Sequence, residues 1–265
     1  MSNFVLVHGA WQSAWSWRRV IEQMEAARGR PEHDINEVPG VGSEGQIQGP
    51  PHISTSIGQV LALDLPGHGQ RFANEIRRIT MGHYIHAVAT LAQVERLEDV
   101  VLVGHGFAAT FLPQVSLELG DRVKRVVFIA GDLPPEGKTA YDRLSRWDKV
   151  MLRAFKAGEK GFRFPDFVFK GILCNDLDAN SARETLSRLV PEPFPPWLTP
   201  VSRQGFLGRF PTTYVILTRD KVIPLSLQRR YSQSLGSPDV EELDAGHGAL
   251  LSHPREVAGV LLKYA

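Results

Sequence analysis

Six short apolar runs punctuate the chain: 4–7 (FVLV), 60–65 (VLALDL), 100–104 (VVLVG), 126–131 (VVFIAG), 212–218 (TTYVILT) and 240–244 (VEELD). Most are apolar at successive positions rather than at alternate ones. That is the pattern of strands buried on both faces, in a parallel sheet covered by helices. Between them lie stretches of helical periodicity at 15–28, 81–97, 107–119, 225–235 and 254–264, the last with Pro254 in its first turn, where proline is tolerated. The alternation predicts an α/β fold, a doubly wound and mostly parallel sheet.

Two stretches break this rhythm. Residues 29–58 are rich in Gly, Pro, Ser and charge and read as a loop inserted in the core. Residues 133–211 separate the fourth strand from the fifth. They carry helical patterns at 139–157 and 179–190, a proline-rich run (PEPFPPWLTP) and seven crowded aromatics: Phe155, Phe162, Phe164, Phe167, Phe169, Phe194 and Trp197. So apolar an insertion at the C-terminal edge of a sheet predicts a helical lid over a pocket. The core is then 1–132 with 212–265, and the lid is 133–211.

Composition narrows the function classes. The net charge is +1 and charged residues make up 22% of the 265, without a basic stripe, so nucleic acid and anionic membrane are not expected partners. The single cysteine, Cys174, excludes an intrachain disulfide and a cysteine-rich metal site. No apolar run approaches the roughly 18 residues of a membrane span, and the first residues lack a signal-peptide pattern. A cytoplasmic protein is expected, with a homodimer left open.

Candidate chemistry gathers where strands end, the usual location of sites in open α/β sheets. His8–Trp11 (HGAW) follow the first strand, and the turn Gly104–Ala108 (GHGFA) follows the third. Asp220 lies beyond the fifth strand and His247 beyond the sixth. Acid then histidine, behind a strand–turn–helix elbow, is the order of a serine-hydrolase triad with its first member missing. Asp132, after the fourth strand, is a rival acid. His8 and His105 are expected to fix the backbone of their turns, His68 to sit in a turn near the pocket, and His83 and His86 to be structural.

The stretches FVLVHGAWQSAWSWRRV, LALDLPGHG, VVLVGHGFAA, TRDKVIP and AGHGALLSHP, in this order, resemble the α/β-hydrolase branch of plant methylesterases, hydroxynitrile lyases and bacterial small-molecule esterases. The resemblance implies hydrolysis of a hydrophobic carboxylic ester or lactone with no metal or organic cofactor. It makes His247 the general base, Asp220 its orienting carboxylate, and the backbone N–H groups of Ala10 and Phe107 the oxyanion hole. Trp11, His105, Phe155, Phe164 and Trp197 become the expected substrate contacts. The lysine that follows the histidine in the plant lyases is replaced here by Gly248, which disfavours that chemistry.

The nucleophile position falls on Gly106. An elbow forces its central residue to positive φ, which glycine adopts without a Cβ penalty, so the fold tolerates the residue that the reaction does not. Three explanations stay open: a hydrolase inactivated by Ser→Gly that still binds substrate, a natural nonhydrolytic ligand-binding relative, and a His247–Asp220 dyad acting without a nucleophile. The first is preferred because the remaining machinery is in place. A fourth reading takes Gly104, Gly106 and Ala109 as a dinucleotide-binding G-x-G-x-x-A turn, but leaves HGAW, Asp220 and His247 unexplained.

Overall fold

The computed structural model describes residues 1–27, 57–69, 76–147, 149–150 and 161–265. Six strands, β1 (Ser2–Val7), β2 (Ile57–Leu63), β3 (Val100–His105), β4 (Val123–Ile129), β5 (Thr212–Leu217) and β6 (Asp239–Leu243), form one parallel sheet in the order β2-β1-β3-β4-β5-β6. The doubly wound sheet expected from the apolar runs is present. Its winding reverses between β1 and β3, and such a switch point opens a crevice at the strand C-termini.

Side chains alternate strictly between two cores. Phe4, Leu6, Val101, Val103, Val127 and Ile129 face one side, against Trp17, Met24, Val257 and Leu261. These come from the start of α1 (Arg18–Ala27) and from the final helix, α9 (Pro254–Leu262). Val5, Val7, Leu102, Val126, Phe128 and Ile216 face the other side, against Tyr84, Val88, Leu112 and Val115 of α2 (Met81–Val94) and α3 (Leu112–Leu119). Burying one such side chain is worth about 1.5–3 kcal/mol. A one-residue slip would exchange the two faces, so this burial also fixes strand register.

Between β4 and β5 lie α4 (Ala140–Arg143), α5 (Asp166–Ile172) and α6 (Ala179–Arg188). The helices α7 (Leu225–Gln233) and α8 (Ala249–Ser252) flank β6. The aromatics Phe162, Phe169, Trp197 and Phe206 of this intervening segment join the same core cluster as the α2–α3 face of the sheet. The segment therefore packs on the C-terminal sheet edge without a separate core.

Boundaries differ from expectation for identifiable reasons. β2 starts at Ile57 because Ser2 pairs with Ile57 across the ladder; the polar Gly58–Gln59 had hidden that start. Of the loop placed at 29–58, only Ile57 and Gly58 are described, and both belong to β2. The helix expected at 107–119 is a 3₁₀ turn over Gly106–Thr110 followed by α3, broken at Phe111 (φ −120°) just before Pro113. The 139–157 helix is interrupted at Leu144, whose ψ of 141° is extended, and residues 146–147 and 149–150 are helical again. Among the described residues no helix is long and apolar enough to cross a membrane.

Candidate active site

The loops after β1, β3, β5 and β6 converge on one point. His247 Nδ1 lies 2.7 Å from Asp220 Oδ2, and both residues are buried. The other carboxylate oxygen of Asp220 accepts the backbone N–H groups of Val222 (2.7 Å) and Ile223 (2.9 Å). The acid is thus held by its own loop while one oxygen faces the imidazole, which fixes the ring orientation and places a proton on Nδ1. The opposite ring nitrogen points at Gly106: a β-carbon built there would lie 3.0 Å from Nε2. Gly106 has φ +53°, the left-handed conformation expected at an elbow.

The rival acid is engaged elsewhere. Asp132 receives Arg143 Nε (2.9 Å) and the Tyr231 hydroxyl (3.1 Å), and its backbone N–H donates to the Gly106 carbonyl at 2.9 Å. Asp132 is therefore part of an ion pair that braces the elbow, and Asp220 is the partner of His247. Burial, followed by the charge of Asp132, pushes the Tyr231 phenol well above its ordinary range.

His105 was expected both to fix its turn and to be among the substrate contacts, and its surroundings fit the first role. It is fully buried, sets its ring 4.4 Å from that of His247 at a tilt of 41° and donates Nε2–H to the His247 carbonyl at 3.0 Å. It backs the imidazole from behind. Burial, then the neighbouring His247, holds it well below the ordinary histidine value.

His8 is likewise structural. Its Nδ1–H donates to the Gly9 carbonyl (2.8 Å) and its Nε2 accepts the Leu65 N–H (3.1 Å), so the ring ties the turn after β1 to the chain after β2. Burial, then His68, lowers its affinity for a proton. His83 caps α2 together with Thr80, and His86 contacts Thr90 on the same helix.

The expected oxyanion donors lie on two different turns. Ala10 follows the His8-braced turn, and Phe107 begins the 3₁₀ turn, where the first N–H groups have no intrahelical partner. The aromatic contacts meet beside them. Trp11 lies 5.7 Å from Phe164 and 5.6 Å from Trp197, which in turn stacks on Phe107 at 4.8 Å. Phe162 and Phe169, not singled out as contacts in the sequence, complete the ring around Trp11 at 5.6 and 5.1 Å. Phe155 lies outside the described residues. A cleft of about 600 Å³ runs past Leu133, Arg143, Arg203 and Tyr231, but Gly106 and His247 do not line it.

Two acidic residues of the intervening segment also reach the site, and neither belonged to a recognisable motif. Asp176 accepts the Gly246 N–H at 2.6 Å and the Ser252 hydroxyl at 2.9 Å, which holds the His247 loop. Glu192 accepts the Trp11 N–H at 2.9 Å. No group of three or more His, Cys, Asp or Glu that could hold a metal occurs among the described residues.

The profile of the Alpha/beta hydrolase family matches residues 4–260. The chain belongs to that family. This α/β-hydrolase is 24% identical to salicylic acid-binding protein 2 of Nicotiana tabacum, over 99% of the chain and 96% of that protein. It is 26% identical to the carbendazim hydrolyzing esterase of a Nocardioides strain, over 52% of the chain and 45% of that protein. Among solved structures, an extracellular α/β-hydrolase from a Paenibacillus species superposes with a TM-score of 0.80 at 21% identity, covering 100% of this chain and 99% of that one. At that identity the likeness establishes a common fold.

Proposed function

We propose that this α/β-hydrolase binds a hydrophobic carboxylic ester or lactone beside Gly106, and that Gly106 leaves it with little or no covalent turnover. The observation that carries the reading is the His247–Asp220 pair at 2.7 Å, with Nε2 aimed at the position a nucleophile would occupy. The family and the relatives described as esterases support it. With serine at 106, the hydroxyl oxygen attacks the ester carbonyl while His247 Nε2 takes its proton. Ala10 and Phe107 N–H groups hold the resulting oxyanion, and His247 returns the proton to the leaving alcohol. Water then repeats the sequence on the acyl-enzyme. Each oxyanion donor contributes about 3 kcal/mol to that transition state. The aromatic ring around Trp11 and Trp197 favours an apolar, ring-containing acyl or alkyl group.

A second reading rests on the same geometry. Without a side chain at 106, the space before Nε2 accepts a water or an acidic C–H, and the dyad acts directly as a base.

The deciding experiment compares the chain with Gly106→Ser and Gly106→Ser/His247→Ala on a panel of aryl esters and lactones. Turnover gained with serine and lost with His247 is the expected result. Activity of the Gly106 chain that serine does not raise would overturn the first reading in favour of the dyad.

A further inference from the structure

Glu192 is a carboxylate with 1% side-chain exposure whose hydrogen bonds form a clamp. Oε2 accepts the Trp11 backbone N–H and faces His68 Nε2, each at 2.9 Å, while Oε1 accepts the Tyr84 hydroxyl at 3.1 Å. The far side of the His68 ring meets the Pro66 carbonyl at 3.2 Å, so both ring nitrogens face oxygen acceptors. Burying a carboxylate is unfavourable unless donors and a counter-charge surround it, and these three donors come from three separate parts of the chain.

The clamped residue is unusual in its own right. Trp11 has φ +61°, a conformation that a bulky side chain adopts only when its surroundings impose it. Its carbonyl accepts the Val190 N–H at 2.9 Å, and its indole N–H donates to the Phe162 carbonyl at 3.1 Å. Phe162 and Glu192 are themselves joined by two backbone hydrogen bonds of 2.8 Å. Every one of these partners belongs to the segment between β4 and β5.

The peptide units on either side of Ala10 are therefore both pinned. The carbonyl of Gly9, in the unit that carries the Ala10 N–H, is held by His8 Nδ1–H. The next unit is held through the Trp11 N–H by Glu192. From this we infer that Glu192 is a positioning residue. It locks the Trp11 peptide so that the Ala10 N–H points at the substrate oxyanion, and His68 and Tyr84 allow its carboxylate to be buried there. The inference rests on the hydrolase reading of Ala10. It adds that the intervening segment sets oxyanion geometry as well as covering the substrate.

The test has two arms. In the Gly106→Ser background, Glu192→Ala is expected to lower kcat by about tenfold to a hundredfold, with KM held within about threefold, as for a displaced oxyanion donor. Glu192→Gln, whose amide oxygen in the place of Oε2 still accepts the Trp11 and His68 N–H groups while its NH2 donates to the Tyr84 hydroxyl oxygen, is expected to retain kcat within about threefold. A purely structural role would lower thermal stability without this split, so equal losses in the two variants, or a loss confined to KM, would overturn the inference. The second arm needs no turnover: the backbone amide resonances of Ala10 and Trp11 are followed in the isotope-labelled Gly106 chain. Both are expected to move in Glu192→Ala and to stay in Glu192→Gln, and an unmoved Ala10 amide in Glu192→Ala overturns the inference. Absence of turnover in Gly106→Ser on every ester would count against the hydrolase reading, and the amide arm would still decide the clamp. Should Glu192→Ala fail to fold, Glu192→Leu, which keeps the volume, replaces it in both arms.

Discussion

Glycine at 106 should stabilise the fold, and Gly106→Ala measures by how much. Two penalties are readable at the site. A non-glycine residue at φ +53° carries left-handed strain of about 1–3 kcal/mol. Its β-carbon would also lie 3.0 Å from His247 Nε2 and 3.2 Å from Cε1, so the imidazole must retreat by a few tenths of an ångström. A small gain from stiffening the unfolded chain, about 0.4–1 kcal/mol, offsets part of the strain. The expected net loss is about 1–3 kcal/mol, or a fall in Tm of about 2–12 °C at 2–4 °C per kcal/mol for a chain of this size. Gly106→Ser should lose less than Gly106→Ala, because its hydroxyl can donate to Nε2 and recover about 1 kcal/mol. Urea unfolding of Gly106→Ala, His247→Ala and the double variant separates the two penalties. The steric part disappears when the imidazole is removed, and the backbone part persists as a non-coupled loss. If Gly106→Ala is neutral or stabilising, the elbow does not impose the strain described, and the structural reason for glycine at this position fails.

Acid should destabilise the chain through His8 and His105, both held below the ordinary value of 6.5 in the folded state by burial. The unfolded chain binds their protons first, so stability is complete above pH 6.5 and declines as pH falls from there toward the folded values. Both contribute to a loss that grows between pH 8 and 5.5, and unfolding free energies across that range should flatten in His105→Asn. The two aspartates should separate cleanly in the Gly106→Ser background. Asp220→Asn is expected to lower kcat about ten-thousandfold through the imidazole tautomer. Asp132→Asn, which weakens the pairing of buried Arg143, should chiefly reduce stability, and a large kcat loss there would reassign the acid.

The sheet was legible because its strands are apolar on both faces, and a run such as Val100–Val103 has no competing interpretation in a domain of this size. Its edges were not. β4 begins at Val123, three residues before the expected start, because Arg125 is accommodated by Thr213 and Asp239 of the neighbouring strands, a pairing that the local sequence does not announce. The break at Phe111 was also hidden, since Pro113 sits where a helix tolerates proline and most residues around it are apolar. At the site, His247 and Asp220 could be found because a family order and the strand ends both point to them. Glu192 could not, because its partner Trp11 is 181 residues away and the clamp exists only once the chain has folded. The single local hint is an acidic residue inside the proline-rich, apolar VPEPFPP. His105 misled for the opposite reason: adjacency to the elbow suggested a ligand contact, whereas alternation along β3 turns its ring inward.

The segment between β4 and β5 is fastened to the core at two separate places. Glu192, Val190 and Phe162 hold Trp11 at one, and Asp176 and Asn175 hold Gly246 and Arg219 at the other. A flap hinged at one end could swing clear of the crevice, but a strap tied at both ends cannot without breaking buried hydrogen bonds. A ligand taken up at the proposed site would then pass by side-chain rotation rather than by a swing of the segment, and residence time, more than encounter rate, would separate one small molecule from another.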